Sequence, residues 1–287
     1  MKTYNHVFLE VRKKLREAGI EAFDFESRLI AVAASGKTKE MFMRDRHLYV
    51  PDDSFENAAE SLVRRRISGE PMAYILGEWE FYGLPLNVNN HVLIPRVDTE
   101  VLVDAVRDVL RDNLNGIRVL DMCAGTGCVG LAIAANLPFC RVLLADKSQE
   151  ALRISRANTI KNNLTRRVTS IELDALEAPP MLLGLFDIIV CNPPYIPTGD
   201  LKELDRSVRE FEPLVALDGG PDGLRFFRSI SSEWKSVLKD KGLLAFECGA
   251  GQAEQVRAIM EQNGFKDFRT YKDSLNIDRV IIGTVHK

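Results

Sequence analysis

The segment CNPPYIP, residues 191–197, carries side chains whose types and spacing suit group-transfer chemistry. It follows an apolar run, FDIIV, that is typical of a buried strand. Proline has no N–H for a ladder hydrogen bond and forces the preceding residue into an extended conformation, so the strand must stop at Asn192. The residues that follow, Asn192–Tyr195, are called the stub here. They present an amide side chain, proline carbonyls and an aromatic ring.

The stub can hold a planar NH2 group. The side-chain oxygen of Asn192 and the carbonyl of Pro193 offer two acceptors to the two N–H groups of one amide or exocyclic amine. The lone pair of such a nitrogen is delocalised, so two acceptors would orient it and stabilise the positive charge that develops as it attacks. Tyr195 can stack on the planar group. We expect Asn192, Pro193 and Tyr195 to act in catalysis, and the whole stub, Pro194 included, to bind substrate.

A second segment, VLDMCAGTGCVG, indicates a nucleotide cofactor. Gly125, Gly127 and Gly130 have G-x-G-x-x-G spacing between a predicted strand and a predicted helix. The next strand ends in Asp146, whose carboxylate can accept both ribose hydroxyls of an adenosine. NAD and S-adenosylmethionine are both compatible with these features.

Acidic residues at the strand ends favour S-adenosylmethionine. Asp121 ends the first strand, where a carboxylate suits a cationic ligand better than a pyrophosphate. Asp174 ends the third strand and can accept a hydrogen bond from an adenine amino group, and Asn192 ends the fourth beside the cofactor. We therefore expect S-adenosylmethionine as methyl donor and S-adenosylhomocysteine as product. An NAD oxidoreductase or a non-catalytic cofactor-binding module is the alternative from another class.

The chemistry of the stub leaves the methyl acceptor open, because glutamine, asparagine, DNA adenine and DNA cytosine all present a planar NH2. Amino-methylation of a ribosomal protein glutamine or of DNA adenine is the alternative within this class of enzyme. The formal net charge of −3 lacks the positive field of a DNA-coating protein. The basic cluster Arg64–Arg66 lies on a predicted helix, where a solvated face is its ordinary role. We expect no direct nucleic-acid partner, since no second basic domain is present to flip a base.

The elements that must position these residues follow from the pattern of the chain. From Gly116 onward strand and helix patterns alternate, which predicts an α/β fold with βαβ units and ligands at the carboxyl ends of the strands. Residues 1 to about 68 read as helices only, with Val7, Val11 and Leu15 at helical spacing.

A connecting region follows the predicted helices. The stretch EWEFYGLPLNVNNHVLIP alternates apolar and polar residues about a Gly83 turn, which predicts a β-hairpin ending at Pro95. Thr99 is then expected to cap a helix. We expect domains at 1–75, 76–95 and 96–287.

Composition limits the class of protein. The chain has 287 residues, 46% hydrophobic and 28% charged, which is typical of a globular protein with a sizeable core. With no signal-peptide h-region and no long apolar run, a cytoplasmic protein without a membrane partner is expected. The five cysteines form no CxxC pair and the four histidines are scattered, so we expect reduced thiols and no metal.

Several segments together resemble the bacterial release factor glutamine methyltransferases, the protein-(glutamine-N5) methyltransferase family. They cover nearly the whole chain in the expected order: GEPMAYILGEWEFYGLPLNVNNHVLIPRVDTEVLV, VLDMCAGTG, CNPPYIP, REFEPLVALDGGPDGL and KDSLNIDRVIIG. The resemblance implies a seven-stranded Rossmann-like class I methyltransferase domain, preceded by a small helical domain that helps to hold the release factor and a β-hairpin linker. It implies transfer of a methyl group to the glutamine of the Gly-Gly-Gln (GGQ) loop of peptide chain release factors, by a protein expected to be a monomer.

The resemblance also assigns cofactor residues by matching position. The loop Cys123, Ala124, Gly125, Thr126 and Gly127 would cradle the methionine part, Asp146 would bind the ribose, and Asp174 with Ala175 would line the adenine. Two departures from the family pattern stand out. Cys123 replaces a usual glycine, and the closing SLNIDRV lacks the glycine that usually precedes the I-D-R-V ending.

Overall fold

The computed structural model describes residues 2–111 and 116–287. The chain divides into two compact units: residues up to Gly77 together with Arg206–Phe211 form the first, and Glu78–Asp205 with Glu212–Lys287 form the second. The segment Arg206–Phe211 therefore groups with the N-terminal helices, although it lies far along the chain. The predicted domain bounds, which are continuous in sequence, assign this segment to the C-terminal domain.

The elements follow one another as helices first and then as alternating strands and helices. The α-helices are α1 Tyr4–Glu17, α2 Phe23–Ser35, α3 Lys39–Asp45, α4 Ser54–Ile67, α5 Met72–Leu76, α6 Glu100–Val109, α7 Cys128–Asn136, α8 Gln149–Lys161, α9 Arg206–Phe211, α10 Arg225–Glu233 and α11 Ala253–Gln262. The strands are β1 Glu78–Phe81, β2 Leu84–Asn87, β3 Ile117–Met122, β4 Cys140–Asp146, β5 Val168–Glu172, β6 Phe186–Cys191, β7 Leu238–Glu247, β8 Phe265–Lys272 and β9 Asp278–Val285. Short 3₁₀ helices cover Val97–Thr99, Thr198–Glu203, Leu214–Ala216 and Trp234–Val237.

The first unit has the helical character that the sequence predicts. Val7, Val11 and Leu15 all lie buried on α1, which confirms their helical spacing. Thr3 caps this helix by accepting the backbone N–H of His6 at 3.2 Å. In the same unit Phe211 lies beside Gly69, where an added Cβ would stand 3.6 Å from the Phe211 ring.

The second unit is built on a seven-stranded sheet in the order β5-β4-β3-β6-β7-β9-β8. The pairings from β5 to β7 are parallel, whereas β9 runs antiparallel between β7 and β8. This confirms the predicted α/β class with a Rossmann-like sheet. The strand order reverses between β3 and β6, and the carboxyl ends at such a reversal form the usual ligand crevice of an open α/β sheet.

Alternate residues of the central strands bury their side chains on opposite faces of the sheet. Val119 of β3 and Ile188 of β6 belong to one core cluster, which also contains residues of α6 and α7. Leu120 and Ile189 belong to a second cluster, which contains residues of α10 and α11. Val119 and Leu120 of β3 and the run Ile188–Val190 of β6 are consecutive apolar residues, as expected where a strand is buried on both faces.

The β-hairpin is shorter than the sequence predicts. Pairing of β1 with β2 ends at Asn87, and the residues up to Pro95 continue without strand structure. The partner strand supplies the reason, because β1 begins at Glu78, directly after Gly77 ends α5 with a φ of 71°, and no strand residue remains to pair beyond Asn87. The Asn158 side chain of α8 accepts the Asn87 N–H at 2.7 Å and donates to the Asn87 carbonyl at 3.1 Å, which satisfies backbone groups that β1 does not reach. None of the helices in the described ranges has the length and apolar character that a membrane crossing needs.

Candidate functional site

A cleft lies at the carboxyl ends of the parallel strands, within the second unit. It consists of two adjoining cavities that share Leu93, Cys123, Gly125 and Asn192 in their walls. The predicted site residues that line one or both cavities are Asp121, Cys123, Ala124, Gly125, Thr126, Asp146, Asp174, Ala175, Asn192 and Pro194. Gly127, Pro193 and Tyr195 are not among the residues that line either cavity.

The loop between β3 and α7 turns tightly enough to need left-handed backbone conformations. Gly125 has a φ of 54° and Gly127 a φ of 80°. A Cβ on Gly130 would lie 2.4 Å from Leu144, so this glycine lets α7 pack closely on β4. The glycines at G-x-G-x-x-G spacing therefore serve turn geometry and helix packing, as the motif requires.

Cys123 also has a left-handed backbone, with a φ of 59°. A side chain at positive φ is strained, which gives a physical reason why glycine suits this position. The cysteine is half-buried and free, as are Cys128 and the buried Cys140, Cys191 and Cys248.

Asp121 is buried under the loop. Its Oδ2 accepts the backbone N–H of Gly130 at 2.8 Å, near the start of α7. Burial raises the pKa of Asp121 to about 7, although the Gly130 hydrogen bond opposes the shift and the nearby Asp146 adds to it. A cationic ligand in this cleft would favour the ionised form of Asp121.

Asp146 ends β4 and fixes the loop through both carboxylate oxygens. Oδ2 accepts the Gly125 N–H at 2.8 Å and Oδ1 accepts the Ser148 N–H at 2.9 Å. Burial raises the pKa of Asp146 against these two hydrogen bonds. Each oxygen has a second lone pair, so hydroxyl donors can still bind.

Asp174 does not end the third parallel strand, as the sequence reading placed it. β5 ends at Glu172, and Asp174 lies in the loop that follows. There its Oδ1 accepts the Leu176 N–H at 2.9 Å and forms an Asx turn. The adjacent Ala175 carbonyl accepts hydrogen bonds from Ser229 Oγ at 2.9 Å and Trp234 Nε1 at 3.1 Å. Both residues nevertheless face the cleft.

The stub is held by side chains that fix Asn192 and Tyr195. Asn192 Nδ2 donates to Thr99 Oγ1 at 3.2 Å, which leaves the oxygen end of the amide for a ligand. Thr99 is the N-cap residue of α6, as the sequence predicts, but its side chain forms no capping hydrogen bond and its hydroxyl accepts from Asn192 instead. Gln252 Nε2 donates to the Tyr195 carbonyl at 2.9 Å.

A second segment runs alongside the stub and locks its backbone. Ile196 donates to the Leu217 carbonyl at 3.0 Å and accepts from the Gly219 N–H at 2.8 Å. A Cβ on Gly219 would lie 2.7 Å from the Tyr195 Cα, and one on Gly223 would lie 2.3 Å from the Tyr195 oxygen. Residues 217–223 are called the clamp segment here, and at Gly219 and Gly223 this segment approaches the stub too closely for a residue with a Cβ.

The segments IPR, residues 94–96, and FEP, residues 211–213, meet at one buried carboxylate. Glu212 Oε2 accepts the Ile94 N–H at 3.1 Å, and Oε1 pairs with the Arg96 guanidinium. Leu93 and Pro95, on either side of Ile94, line the cleft. The pairing therefore orients one wall of the site.

Sequence reasoning missed Thr99, Gln252 and Glu247 as site residues. Glu247 ends β7 with a side chain that is 2% exposed, and burial raises its pKa to about 7. The only available signal was its position at a strand end, like Asp121 and Asn192. Within the described residues, no group of three or more His, Cys, Asp or Glu side chains could hold a metal ion.

Comparison with known proteins follows the same division of the chain. Residues 6–77 match the model of the PrmC N-terminal domain, and residues 97–206 match the methyltransferase small domain. The solved hMettl16 catalytic domain in complex with the MAT2A 3'UTR hairpin 6 has a TM-score of 0.57 at 15% identity over 80% of this chain and 81% of that chain, which is a likeness of fold alone.

Curated relatives match the chain over nearly its full length. The release factor glutamine methyltransferase of Clostridium acetobutylicum is 37% identical over 93% of this chain and 93% of the relative. That of Geobacter sulfurreducens is 40% identical over 96% of this chain and 94% of the relative. This chain therefore belongs to the release factor glutamine methyltransferase family.

Proposed function

We propose that this protein transfers a methyl group from S-adenosylmethionine to the side-chain N5 of the glutamine in the GGQ loop of peptide chain release factors. Family membership supports the reaction, and the cleft supplies groups that suit it. The observation that carries the proposal is the amide of Asn192, whose NH2 end is held by Thr99 so that the acceptor oxygen is available at the cleft.

The residues present fit the proposed cofactor. A sulfonium and an ammonium are cationic, and the cleft is lined by Asp121, Asp146 and Asp174. The pKa of Asp121 is raised by burial, as expected for a carboxylate that lacks a positive partner in the protein alone. When bound, the cofactor supplies an electrophilic methyl group. The glycine loop would hold its methionine part, Asp146 its ribose, and Asp174 with Ala175 its adenine.

The stub would act on the acceptor nitrogen. The Asn192 oxygen and the Pro193 carbonyl would accept the two N–H groups of the glutamine amide and stabilise the charge that develops on nitrogen. This mechanism needs no strong base, because the nitrogen can lose its proton after the methyl group has been transferred. The Tyr195 ring, which we propose stacks on the amide, lies beside Gly249, where an added Cβ would stand 3.2 Å from its Cδ2.

We further propose that residues 1–75 bind the release factor, that residues 76–95 connect the two domains, and that residues 96–287 carry out the methyl transfer. The pairing of α9 with the first unit would then bring a segment of the C-terminal part of the chain into the recognition unit. The protein is proposed to act on release factors and not on nucleic acid.

Mass spectrometry of the methyl acceptor tests the proposal. A purified release factor incubated with the protein and S-adenosylmethionine should gain one methyl group on the GGQ glutamine. A release factor with that glutamine replaced by alanine is the matched control and should gain none. Plasmid DNA in parallel separates protein from base methylation: labelled methyl groups on DNA, with none on the release factor, would refute the proposed function.

A further inference from the structure

Glu247 is a buried carboxyl group that the proposed mechanism does not use, and the pairing of Cys191 with Phe246 places it beside Asn192 of the stub. It is the last residue of β7, the strand that pairs with β6, and its side chain is 2% exposed. Its Oε2 has no hydrogen-bond partner among the described residues. A buried acceptor without a partner is costly, so such a group calls for a physical explanation.

The neighbours of Glu247 connect it to the stub. Asn192 and Glu247 are the residues that follow the paired Cys191 of β6 and Phe246 of β7, so they lie at neighbouring positions of the sheet edge. The proximity of Thr99 and Asn192 lowers the pKa of Glu247 against the larger effect of burial. Asn192 Nδ2 also donates to Thr99 Oγ1 at 3.2 Å. The NH2 end of the Asn192 amide therefore faces a threonine hydroxyl and a carboxylate, which are both acceptors.

Other charged groups act on Glu247 in opposite directions. Arg279 favours its ionised form and Asp98 disfavours it, while burial is the largest effect and raises the pKa of Glu247 to about 7. Arg279 is itself shared with Asp98 at 3.3 Å and Asp273 at 2.7 Å. The titratable side chains Tyr195, Cys248 and Cys128 also feel the charge of Glu247, and burial raises the pKa of each of them to about 12, so they stay neutral around pH 7.

The orientation of the Asn192 amide decides whether the stub can work. The two ends of an amide have nearly the same shape, so a rotation of 180° exchanges an acceptor for a donor at the cleft. A flipped Asn192 would point N–H groups at the N–H groups of the substrate. Only an acceptor behind the amide favours the productive orientation over the flipped one.

We propose that Glu247 is a positioning residue which, together with Thr99, holds the NH2 end of Asn192 away from the cleft so that its oxygen faces the substrate nitrogen. The inference rests on the proposed methyl transfer. An ionised Glu247 can only accept hydrogen bonds, whereas a protonated Glu247 can donate one to the Asn192 oxygen and permit the flipped amide. Turnover should therefore rise with pH as Glu247 loses its proton.

The kinetic test compares wild type, Glu247→Gln and Glu247→Leu between pH 5.5 and 9, with release factor and S-adenosylmethionine as substrates. Glu247→Leu should lower kcat by on the order of tenfold or more, with the affinity for S-adenosylhomocysteine within about threefold of wild type. Glu247→Gln keeps an acceptor oxygen, so it should retain more activity than Glu247→Leu. The fall in kcat at low pH that comes from protonation of Glu247 should be absent from this variant. Glu254→Gln, an exposed change on α11, is the control and should match wild type.

A double-mutant cycle separates positioning from folding. If Glu247 acts through Asn192, adding Glu247→Leu to Asn192→Ala should lower kcat no further. Three results would each overturn the inference: additive losses of kcat in the double variant, the same fall of kcat at low pH in Glu247→Gln as in wild type, or a fall in cofactor affinity as large as the fall in kcat. If Glu247→Leu does not fold, the pH dependence of kcat in Glu247→Gln alone tests the inference.

A measurement without substrate keeps this inference distinct from the proposed function. The NMR signals of the Asn192 side-chain NH2 should shift with pH as Glu247 titrates in the wild type and not in Glu247→Gln. A signal that is insensitive to pH would overturn the positioning role. A wild-type protein that leaves the release factor unmethylated while the Asn192 signal titrates as expected would instead count against the proposed function alone.

Discussion

At the scale of single residues, the site combines buried carboxylates with an amide that must point one way. The sequence predicted Asp121, Asp146 and Asn192 because each stands at or beside the end of an apolar run, where a parallel sheet places its ligand. The contacts of Glu247 and Thr99 with the stub could not be predicted, because the packing of β7 beside β6 brings Glu247 to Asn192, and the bond from Asn192 to Thr99 joins residues that are 93 positions apart. Residue types at strand ends are local information, whereas hydrogen-bond partners across the sheet are not.

Asp121→Asn is expected to raise stability and weaken cofactor binding. The folded pKa of Asp121 lies near 7, above the ordinary 3.8, so the native state of the wild type loses stability as pH rises between these values. At pH 8 the variant should be more stable by about 2 kcal/mol in urea unfolding, and the difference should vanish towards pH 4. Its affinity for S-adenosylmethionine should fall by on the order of tenfold. A variant less stable than wild type at pH 8 would contradict this account of Asp121.

Cys123 should tolerate glycine and reject a β-branched residue. Its positive φ of 59° costs a side chain roughly 1 kcal/mol, a cost that glycine avoids and valine increases. Cys123→Gly should unfold within about 1 kcal/mol of wild type and bind S-adenosylhomocysteine at least as tightly. Cys123→Val should lose stability and cofactor affinity together. Equal behaviour of the two variants in calorimetry would show that backbone strain does not limit this position.

At the scale of elements, the stub is rigid because another segment of the chain holds it. The Pro-Pro sequence predicts that β6 ends, but the clamp segment at 217–223 and Gln252 determine where the stub points. The hairpin shows the same limit of sequence reasoning. Its alternation predicts strands up to Pro95, whereas the pairing ends at Asn87 because the partner strand begins only at Glu78, just after α5. Local patterns predict element types well, and element ends less well when the end depends on how far a neighbouring element extends.

Gly223→Ala should displace the stub. The new Cβ would stand 2.3 Å from the Tyr195 oxygen, and the φ of 73° adds strain. We expect kcat to fall by about tenfold or more with smaller loss of cofactor affinity, because the clash falls on the stub and not on the glycine loop. Gly199→Ala, where an added Cβ meets open space and φ is ordinary, is the control. Wild-type turnover of Gly223→Ala would mean that the clamp segment does not position the stub.

At the scale of the whole molecule, the chain separates a helical unit from a unit that contains the entire cleft. The sequence predicted the two fold types because helical and strand periodicities change along the chain. It did not predict that Arg206–Phe211 belongs with the N-terminal helices, since a six-residue helix carries no periodic signal of its partner. The proposed roles of the two units lead to different kinetic effects of mutations in each.

Exposed apolar side chains of the first unit should matter for release factor recognition alone. Phe25 is 60% exposed and Met43 is 53% exposed, which suits contact with a protein partner. The double variant Phe25→Ser, Met43→Ser should raise KM for the release factor several-fold and leave kcat unchanged, because the lost contacts would stabilise the bound substrate and the transition state equally. Turnover of a short GGQ peptide should not change. Leu275→Ser, at a 75% exposed residue of the second unit, is the control and should leave both substrates unaffected.

The account depends most on the oxygen of Asn192 acting on the acceptor nitrogen in the transition state. The most direct measurement is the turnover of Asn192→Ala with release factor, together with the affinity of this variant for S-adenosylhomocysteine. Asn136→Ala, at the C-terminal end of α7, is the matched control. We predict that turnover falls by on the order of a hundredfold or more while cofactor affinity stays within about threefold of wild type. Turnover near that of the wild type, or an equal loss of turnover and cofactor affinity, would contradict the account.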